Sequence, residues 1–391
     1  MIFTGIKIKN FFSFKDIYID LSIKRKSKHS TIPDEFLEGF NNFRFKKVCI
    51  ISGSNSSGKS SLGKLLYALQ ALVCLSRIPS IEKFIYDKSS EAEIEIEYVF
   101  PNDEDKKLNR LKLVWHPSKL ENVPHINATY YFTRLRLEDT VYSARKRVNL
   151  ISDSKKSKYY YEFKENIFSF EFFSLISQGL TNPCFGWFYQ IESNIQKDLA
   201  QLPQLKNNLI LEAVLKTFDP SIENISENKD DEHNLQSFTI NFKNKDKLVL
   251  DTYGDITNKD RLSNGTFNGL AIARLFDVMV QFRDNDISSI FYVDEAMAYV
   301  HTEIEQEIIS LVIQNLPRHS QLFYTTHNYD VLDLNLPVHS YLFMNKPQEH
   351  TSVVQAEDKI KKNDRSLIGY LRNNVFGTIP DTSKLEDLLD V

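Results

Sequence analysis

Gly53-Ser54-Asn55-Ser56-Ser57-Gly58-Lys59-Ser60 is a complete G-x-x-x-x-G-K-[ST] motif. A short apolar run (48–51) precedes it, and leucines at helical spacing follow it. Such a loop directs backbone N–H groups at a phosphate, at a helix end whose dipole favours anions. Lys59 is expected to reach the β- and γ-phosphates, and the Ser60 hydroxyl to ligate Mg²⁺. The motif predicts a nucleoside triphosphate site built from Gly53, Ser56, Ser57, Gly58, Lys59, Ser60 and Ser61.

A second apolar run, 289–293, ends in the paired carboxylates Asp294 and Glu295. A buried strand that delivers Asp294 at its carboxyl end places it beside the phosphate loop, where it can hold Mg²⁺. Glu295 is then placed to polarise an attacking water. Alone this pattern is weak, but after a complete phosphate loop it predicts a catalytic carboxylate.

Two further segments, one around Ser263 and one ending at His327, are spaced so that they could contribute to the same nucleotide site. Ser263 can cap the helical run after residue 265, and Gly265 lets a phosphate approach the backbone closely. His327 ends a strand-like run one strand–helix–strand unit after Asp294, so it is expected at the same sheet edge. We expect His327 to contact a γ-phosphate.

Composition narrows the class of protein. The 391 residues carry 48 basic and 52 acidic side chains, so no global basic field favours nucleic acid. Cys49, Cys74 and Cys184 are widely spaced and include no C-x-x-C, which excludes a disulfide framework and a zinc hook. No run approaches about 18 apolar residues, so no membrane span is expected. These features predict a cytoplasmic protein.

Alternating strand and helix patterns in the last third predict an α/β fold with a parallel sheet flanked by helices. We divide the chain into 1–118 with the phosphate loop, an α+β insertion at 119–235, and 236–391 with the remaining motifs. Within the insertion, the aromatic run 168–173 reads as strand-like, 191–218 as a helix, and 227–233 as an exposed loop. No heptad run is present, so no long coiled coil is expected.

A basic cluster at 145–158 precedes the tyrosines 159–161 and has two interpretations. Basic residues beside aromatic ones can follow a phosphate backbone and stack on bases. The structural alternative is a twisted hairpin with charged faces and a buried tyrosine face. The sequence favours the hairpin and leaves open whether DNA, RNA or a viral protein binds there.

The ordered motifs resemble those of ABC-type ATPases of the SMC and Rad50/RecF type, over nearly the whole chain. Residues 6–14 are similar to the opening strand of that superfamily, and Asn55 matches its phosphate-loop asparagine. The resemblance implies ATP and Mg²⁺ as cofactors, a signature motif at 262–266, and His327 as a switch histidine. It also implies a head-to-tail homodimer or a higher oligomer. In such a dimer each ATP lies between one phosphate loop and the other chain's Ser263 and Gly265.

Four shorter stretches of the sequence are similar to stretches of the OLD-like ATPases. They are the stretch 294–301, the stretch 326–333, Phe218-Asp219-Pro220-Ser221-Ile222, and the ending 365–380. That ending resembles the RloA/AbiL-type ATPases of bacterial anti-phage abortive-infection systems. Ser56 departs from the group, which has a glycine there. Only 11 residues follow Pro380, so the fused Toprim nuclease of OLD proteins is not expected and an effector would be a separate polypeptide.

The leading hypothesis is an ATP-hydrolysing sensor subunit that controls a separate effector, such as a Toprim-type nuclease, in response to nucleic acid or a phage protein. A RecF-like ATPase that acts directly on DNA is an alternative. A scaffold that ATP stabilises, with incidental hydrolysis, is another. A transporter's nucleotide-binding subunit fits less well, because the signature segment reads LSNGT.

Overall fold

The computed structural model describes residues 1–24, 30–78, 80–117, 125–155, 157–164, 167–180, 204–257, 261–297, 300–360 and 367–379, with the backbone alone at 185–190 and at residue 264. Its strands are β1 (Ile2–Phe11), β2 (Phe14–Asp20), β3 (Phe36–Leu37), β4 (Phe40–Arg44), β5 (Val48–Gly53), β6 (Ala92–Val99), β7 (Lys107–His116), β8 (His125–Arg134), β9 (Tyr160–Phe163), β10 (Phe185–Gln190), β11 (Ile222–Lys229), β12 (Leu235–Phe242), β13 (Lys247–Asp251), β14 (Ser289–Asp294), β15 (Gln321–Thr326), β16 (Tyr341–Asn345) and β17 (Ser352–Gln355).

The helices are α1 (Lys59–Leu75), α2 (Val141–Ser154), α3 (Phe170–Ile176), α4 (Asn208–Phe218), α5 (Asn264–Asp284), α6 (Thr302–Asn315), α7 (Ala356–Lys359) and α8 (Leu367–Arg372). The longest of them has 21 residues, so the described part of the chain contains no long coiled-coil arm. None of the described helices is both long and apolar enough to cross a membrane.

The chain divides into two compact units. The first contains Met1–Phe188, Ser288–Asp294 and His319–Val391, and the second contains Tyr189–Ile287 and Glu295–Arg318. These units are defined by contacts, and the three-part functional division at residues 118 and 235 stays a prediction.

The first unit contains two six-stranded sheets and a two-stranded sheet of β3 and β4. One six-stranded sheet has the strand order β10-β14-β15-β5-β16-β17, in which β14, β15, β5 and β16 run parallel. Every residue of β5, β14 and β15 is buried, as expected for strands covered on both faces, and α1 packs against β14. The other six-stranded sheet is antiparallel with the order β2-β1-β6-β7-β8-β9. The predicted α/β class, with a parallel sheet and flanking helices, is confirmed.

The second unit combines helices with a small sheet. Strands β11, β12 and β13 form an antiparallel sheet, and α4 packs against both β11 and α5. A core that includes Leu211, Leu215, Phe238 and Leu250 joins these elements. Of these elements only α4 and β11 lie wholly within the predicted insertion at 119–235, and residues up to Phe188 belong to the first unit, so the insertion stays a prediction.

Three local predictions need correction. The strand-like 168–173 is mostly helix α3, because Ser169 caps its first turn by accepting a hydrogen bond from the Phe172 N–H. The predicted exposed loop at 227–233 begins as strand, since β11 continues to Lys229 before the turn. The predicted helix at 191–218 is seen at Asn208–Phe218; the part at 191–203 lies outside the described residues.

The predicted basic hairpin is also wrong in its first half. Residues 141–154 form helix α2, whose N-terminus carries a reciprocal capping box between Thr140 and Ser143. The tyrosine half is a strand as expected, since β9 pairs with β8 and its rings stack on those of Tyr130 and Tyr131. A strong local cap therefore decides the conformation of the cluster.

Candidate functional site

The register of the parallel sheet brings several predicted residues to one edge. Asp294 on β14 lies opposite Thr325 on β15, and Thr326 lies opposite Ser52 on β5. His327 follows Thr326 directly, and the phosphate loop follows β5. The structure therefore places the loop, Asp294 and His327 together at the carboxyl edge, while Ser263, Gly265 and Glu295 belong to the second unit.

The backbone of the phosphate loop requires small residues or left-handed geometry at three positions. A Cβ on Gly53 would lie 2.0 Å from the Met344 carbonyl oxygen on the neighbouring strand β16. Gly58 has φ +98°, and a Cβ there would lie 3.1 Å from the Phe14 ring. Ser56 has φ +59°, a left-handed conformation that glycine adopts at little cost and serine only with strain.

Residues distant in sequence hold this loop in place. The Thr351 hydroxyl donates to the Ser57 carbonyl over 2.9 Å and exchanges a hydrogen bond with the Ser13 hydroxyl at 2.7 Å. The Tyr292 hydroxyl donates to the Lys59 carbonyl. Sequence reasoning missed Thr351 and Tyr292, because only the folded chain places them beside the loop. The loop backbone is therefore fixed from outside the motif.

The N-terminus of α1 has the features of an anion site. Among the described residues no side chain caps it, and its first turn holds no acidic residue. By contrast, α5 is capped by Ser263. The hydroxyl oxygens of Ser52 and Ser57 are buried and have no hydrogen-bond partner in the described part of the chain. Buried donors of this kind, beside an uncapped helix end, fit a phosphate group.

Lys59 is buried, with 4% of its surface exposed. Its ammonium group donates to the carbonyl oxygens of Gly53 and Ser54, at 3.0 and 3.2 Å, and contacts His327 Nε2 at 3.1 Å. An ammonium group can only donate, so Nε2 accepts and the His327 ring carries its proton on Nδ1. The sheet thereby joins two predicted phosphate ligands, Lys59 and His327, in direct contact.

Asp294 is buried at the end of β14, where its Oδ1 accepts a hydrogen bond of 2.6 Å from the Thr325 hydroxyl. Glu295, the next residue, has φ +51°, a strained conformation of a kind that clusters at functional sites. No group of three or more His, Cys, Asp or Glu residues suited to a metal exists in the described ranges. Phosphate loops need fewer protein ligands, since Mg²⁺ keeps waters and takes phosphate oxygens. The hard oxygen donors of Ser60 and Asp294 fit that ion.

The predicted signature segment begins helix α5 in the second unit. Ser263 is exposed, and its Oγ accepts a hydrogen bond of 3.0 Å from the Thr266 N–H, as an N-cap does. Among the described residues, a Cβ on Gly265 would lie within 4 Å of the Ser263 Oγ alone, at 3.6 Å. The segment therefore presents an exposed hydroxyl and an unobstructed glycine at a helix start.

The basic cluster is largely committed to contacts within the chain. Arg145 donates to Glu97 Oε2 at 2.8 Å, to Asp20 Oδ1 at 3.3 Å and to the Thr4 carbonyl at 3.1 Å. Arg147 forms an ion pair with Asp139. Burial would raise the pKa of Asp20, but Arg145 and the hydrogen bonds from Ser22 outweigh it and hold that pKa below its usual value. The two arginines therefore stabilise the antiparallel sheet and its helix.

Comparison with known proteins adds little beyond these observations. No family model matches the chain, and no curated protein matches it. An SMC head bound to the C-winged helix domain of ScpA is similar over 92% of this chain and 100% of its own, with 15% identity and a TM-score of 0.48. The SMC head domain from Thermotoga maritima covers 91% and 99%, with 14% identity and a TM-score of 0.38. At such low values neither similarity establishes a family or an activity, so the α/β phosphate-loop fold rests on the strand order and loop geometry above.

Proposed function

We propose that this chain binds and hydrolyses ATP at the carboxyl edge of its parallel sheet. The observation that carries the proposal is the direct contact of Lys59 with His327, beside an uncapped helix N-terminus and two buried hydroxyls that have no partner among the described residues. A γ-phosphate offers Lys59 a charged acceptor, and charge-assisted hydrogen bonds are stronger than those that Lys59 makes to the carbonyl oxygens of Gly53 and Ser54.

Each residue of the site has a distinct task in this proposal. The loop N–H groups and Lys59 bind the phosphates, and Glu295 orients and polarises the attacking water. His327 donates a ring N–H to the γ-phosphate, because phosphate oxygens only accept hydrogen bonds. Ser60 and Asp294 hold Mg²⁺, which supplies charge neutralisation on the phosphate oxygens.

The proposed site is completed by a second copy of the chain. The phosphate loop lies in one unit and the signature residues Ser263 and Gly265 in the other, and the family resemblance supplies the head-to-tail arrangement. By the same resemblance, we infer that the dimer serves as the sensor subunit of a bacterial anti-phage complex. It would control a separate effector, such as a Toprim-type nuclease, after a nucleic acid or phage protein trigger.

A DNA-repair ATPase that binds DNA through the 145–158 cluster is the less favoured candidate. Arg145 and Arg147 are engaged in ion pairs, which leaves Lys146, Lys155 and Lys158 as the exposed basic residues described in that cluster. Two of these lysines already lie over tyrosine rings. A short lysine patch supports weak, salt-sensitive contact with a phosphate backbone.

ATP turnover is the first test. We expect Lys59→Ala to abolish ATP binding, and Glu295→Gln to bind ATP and persist as a closed dimer. Turnover by Glu295→Gln at the wild-type rate would show that Glu295 does not activate water. Negligible turnover by the wild-type chain, with nucleotide tightly bound after purification, would support the scaffold alternative.

The partner is tested by a mass-spectrometric pull-down of tagged Glu295→Gln from its native host in MgATP, with Lys59→Ala as the matched control. A stoichiometric nuclease recovered with Glu295→Gln and not with the control supports the defence function. Recovery of nucleic acid without any protein partner favours the DNA-repair ATPase.

A further inference from the structure

A chain of three side chains connects the end of α4 to the start of α5. The Thr266 hydroxyl donates to Asp219 Oδ2 at 3.2 Å, and it also contacts the Ser263 hydroxyl at 2.7 Å. Thr266 is 1% exposed, so water does not compete effectively for its hydroxyl. Ser263 belongs to the predicted signature segment, and Asp219 belongs to the stretch Phe218-Asp219-Pro220-Ser221-Ile222.

The direction of the hydrogen bonds in this chain follows from its chemistry. A carboxylate oxygen only accepts, so the single hydroxyl proton of Thr266 goes to Asp219. The Ser263 hydroxyl must then donate to Thr266 Oγ1, while Ser263 Oγ accepts from the Thr266 N–H. Both the proton and a lone pair of Ser263 are thereby oriented by Thr266, and Thr266 is oriented by Asp219.

Asp219 is itself held rigidly. Its Oδ1 accepts from both the N–H and the hydroxyl of Ser221, and its own N–H donates to the Leu215 carbonyl at the end of α4. Beside it, the Phe218 ring packs so close to α5 that a Cβ on Gly269 would lie 2.9 Å from the ring. The carboxylate therefore cannot follow Thr266 if the start of α5 shifts.

The N-terminal end of α4 is also hydrogen-bonded to α5. Asp277, which is 2% exposed on α5, accepts hydrogen bonds of 3.0 Å from the N–H groups of both Lys206 and Asn207. Asn207 in turn caps α4. Because both ends of α4 bind α5, the first turn of α5 has one defined position relative to the core of its unit.

We propose that Asp219 is a positioning residue that acts through Thr266 to hold the Ser263 hydroxyl ready for the nucleotide of a second copy of the chain. This inference rests on the proposed function, in which Ser263 contacts the partner copy's ATP. When a phosphate oxygen arrives, the Ser263 hydroxyl proton rotates from Thr266 to the phosphate, and the oxygen keeps its place through the Thr266 N–H. The Ser263 side chain is thus already ordered before the two copies associate, which lowers the entropic cost of forming the dimer.

The test compares Thr266→Val, which removes the hydroxyl, with Thr266→Ser, which keeps it. Both are made in the Glu295→Gln background, and dimer formation in MgATP is followed by light scattering across protein concentration. We expect Thr266→Val to weaken ATP-driven association by about tenfold, the loss of one hydrogen bond to a charged group, and Thr266→Ser to recover most of it. Binding of a fluorescent ATP analogue to the monomer should be unchanged, since the phosphate loop lies in the other unit.

Asp219→Ala gives a second, independent test of dimer association, and Ser221→Ala is its matched control. Both remove the Asp219–Ser221 side-chain contact, but only Asp219→Ala removes the bond from Thr266. Weakened association for Asp219→Ala and not for Ser221→Ala supports the inference. Equal losses for Thr266→Val and Thr266→Ser overturn it, as does wild-type association of both Thr266→Val and Asp219→Ala. If the unmutated chain neither binds nor hydrolyses ATP, the proposed function fails and the inference fails with it.

Discussion

Replacing Arg145 by methionine should destabilise the protein strongly, although the residue lies in a segment that resembles a nucleic-acid patch. The change removes the guanidinium that bridges Glu97, Asp20 and the Thr4 carbonyl and keeps most of the aliphatic volume. Breaking a buried ion pair from one side leaves charge less well compensated, because the remaining carboxylates cannot regain water.

The size of the effect can be worked from the contacts. Removing one partner of a buried pair costs about 3–5 kcal/mol, and the Arg145 side chain is 15% exposed, which lowers the cost. Glu97 keeps its ion pair with Arg110, and Asp20 keeps Lys24 at 3.8 Å, so neither carboxylate is left without a cation. We therefore expect the free energy of unfolding to fall by about 2–4 kcal/mol.

The loss of stability in Arg145→Met should also depend on pH, which gives a second way to test the prediction. Arg145 helps to hold the folded-state pKa of Asp20 below its usual 3.8, so this contribution is fully present above that pH. It is lost as the pH falls through the lower, folded-state pKa. The difference between Arg145→Met and wild type should therefore shrink in acid and stay constant around neutrality.

Urea unfolding followed by circular dichroism measures the change, with Lys146→Met as the matched control on the next, exposed position of α2. The control should shift the free energy of unfolding by no more than about 0.5 kcal/mol. If Arg145→Met were as stable as Lys146→Met, the ion-pair reasoning would be refuted. The residue would then be available for an external phosphate.

Three further changes follow from the loop and its strand. Ser56→Gly relieves a left-handed serine, worth about 1–2 kcal/mol, against an entropic cost of about 0.5–1 kcal/mol. It should therefore raise stability slightly and retain ATP binding; a clear loss in calorimetry would contradict this. Gly53→Ala puts a Cβ 2.0 Å from the Met344 carbonyl, so titration with labelled ATP should show binding lost, and unchanged affinity would refute the close approach. Cys49 is buried with its pKa raised to about 12, so a thiol reagent at pH 8 should modify it only after unfolding.

The local sequence pattern was sufficient to predict a strand where the apolar residues form an uninterrupted run. The buried runs that became β5, β14 and β15 were predicted to within a residue or two, because strands covered on both faces need uninterrupted hydrophobic sequence. The meeting of Lys59 with His327 was foreseeable in outline, since parallel strands present their carboxyl ends at one edge. Asp294, at the end of a third such strand, follows the same rule.

Other features depend on contacts that no local pattern contains. Arg145 binds carboxylates from strands far away in sequence, so only the register of the antiparallel sheet shows that it is not a surface charge. Thr351 reaches the phosphate loop from the turn before β17. The misread run 168–173 shows a related limit, since aromatic alternation favours a strand while one serine cap decides for helix α3.

The supports of the phosphate loop imply where a nucleotide would act on this protein. The loop backbone is held by the Tyr292 hydroxyl at the Lys59 carbonyl and by the Thr351 hydroxyl at the Ser57 carbonyl. The Lys59 side chain, by contrast, contacts His327, and a phosphate that takes the ammonium group must compete with that contact. Binding would therefore change the contacts of Lys59 with His327 and with the loop carbonyl oxygens of Gly53 and Ser54. The phosphate would therefore change contacts at the ends of both β5 and β15.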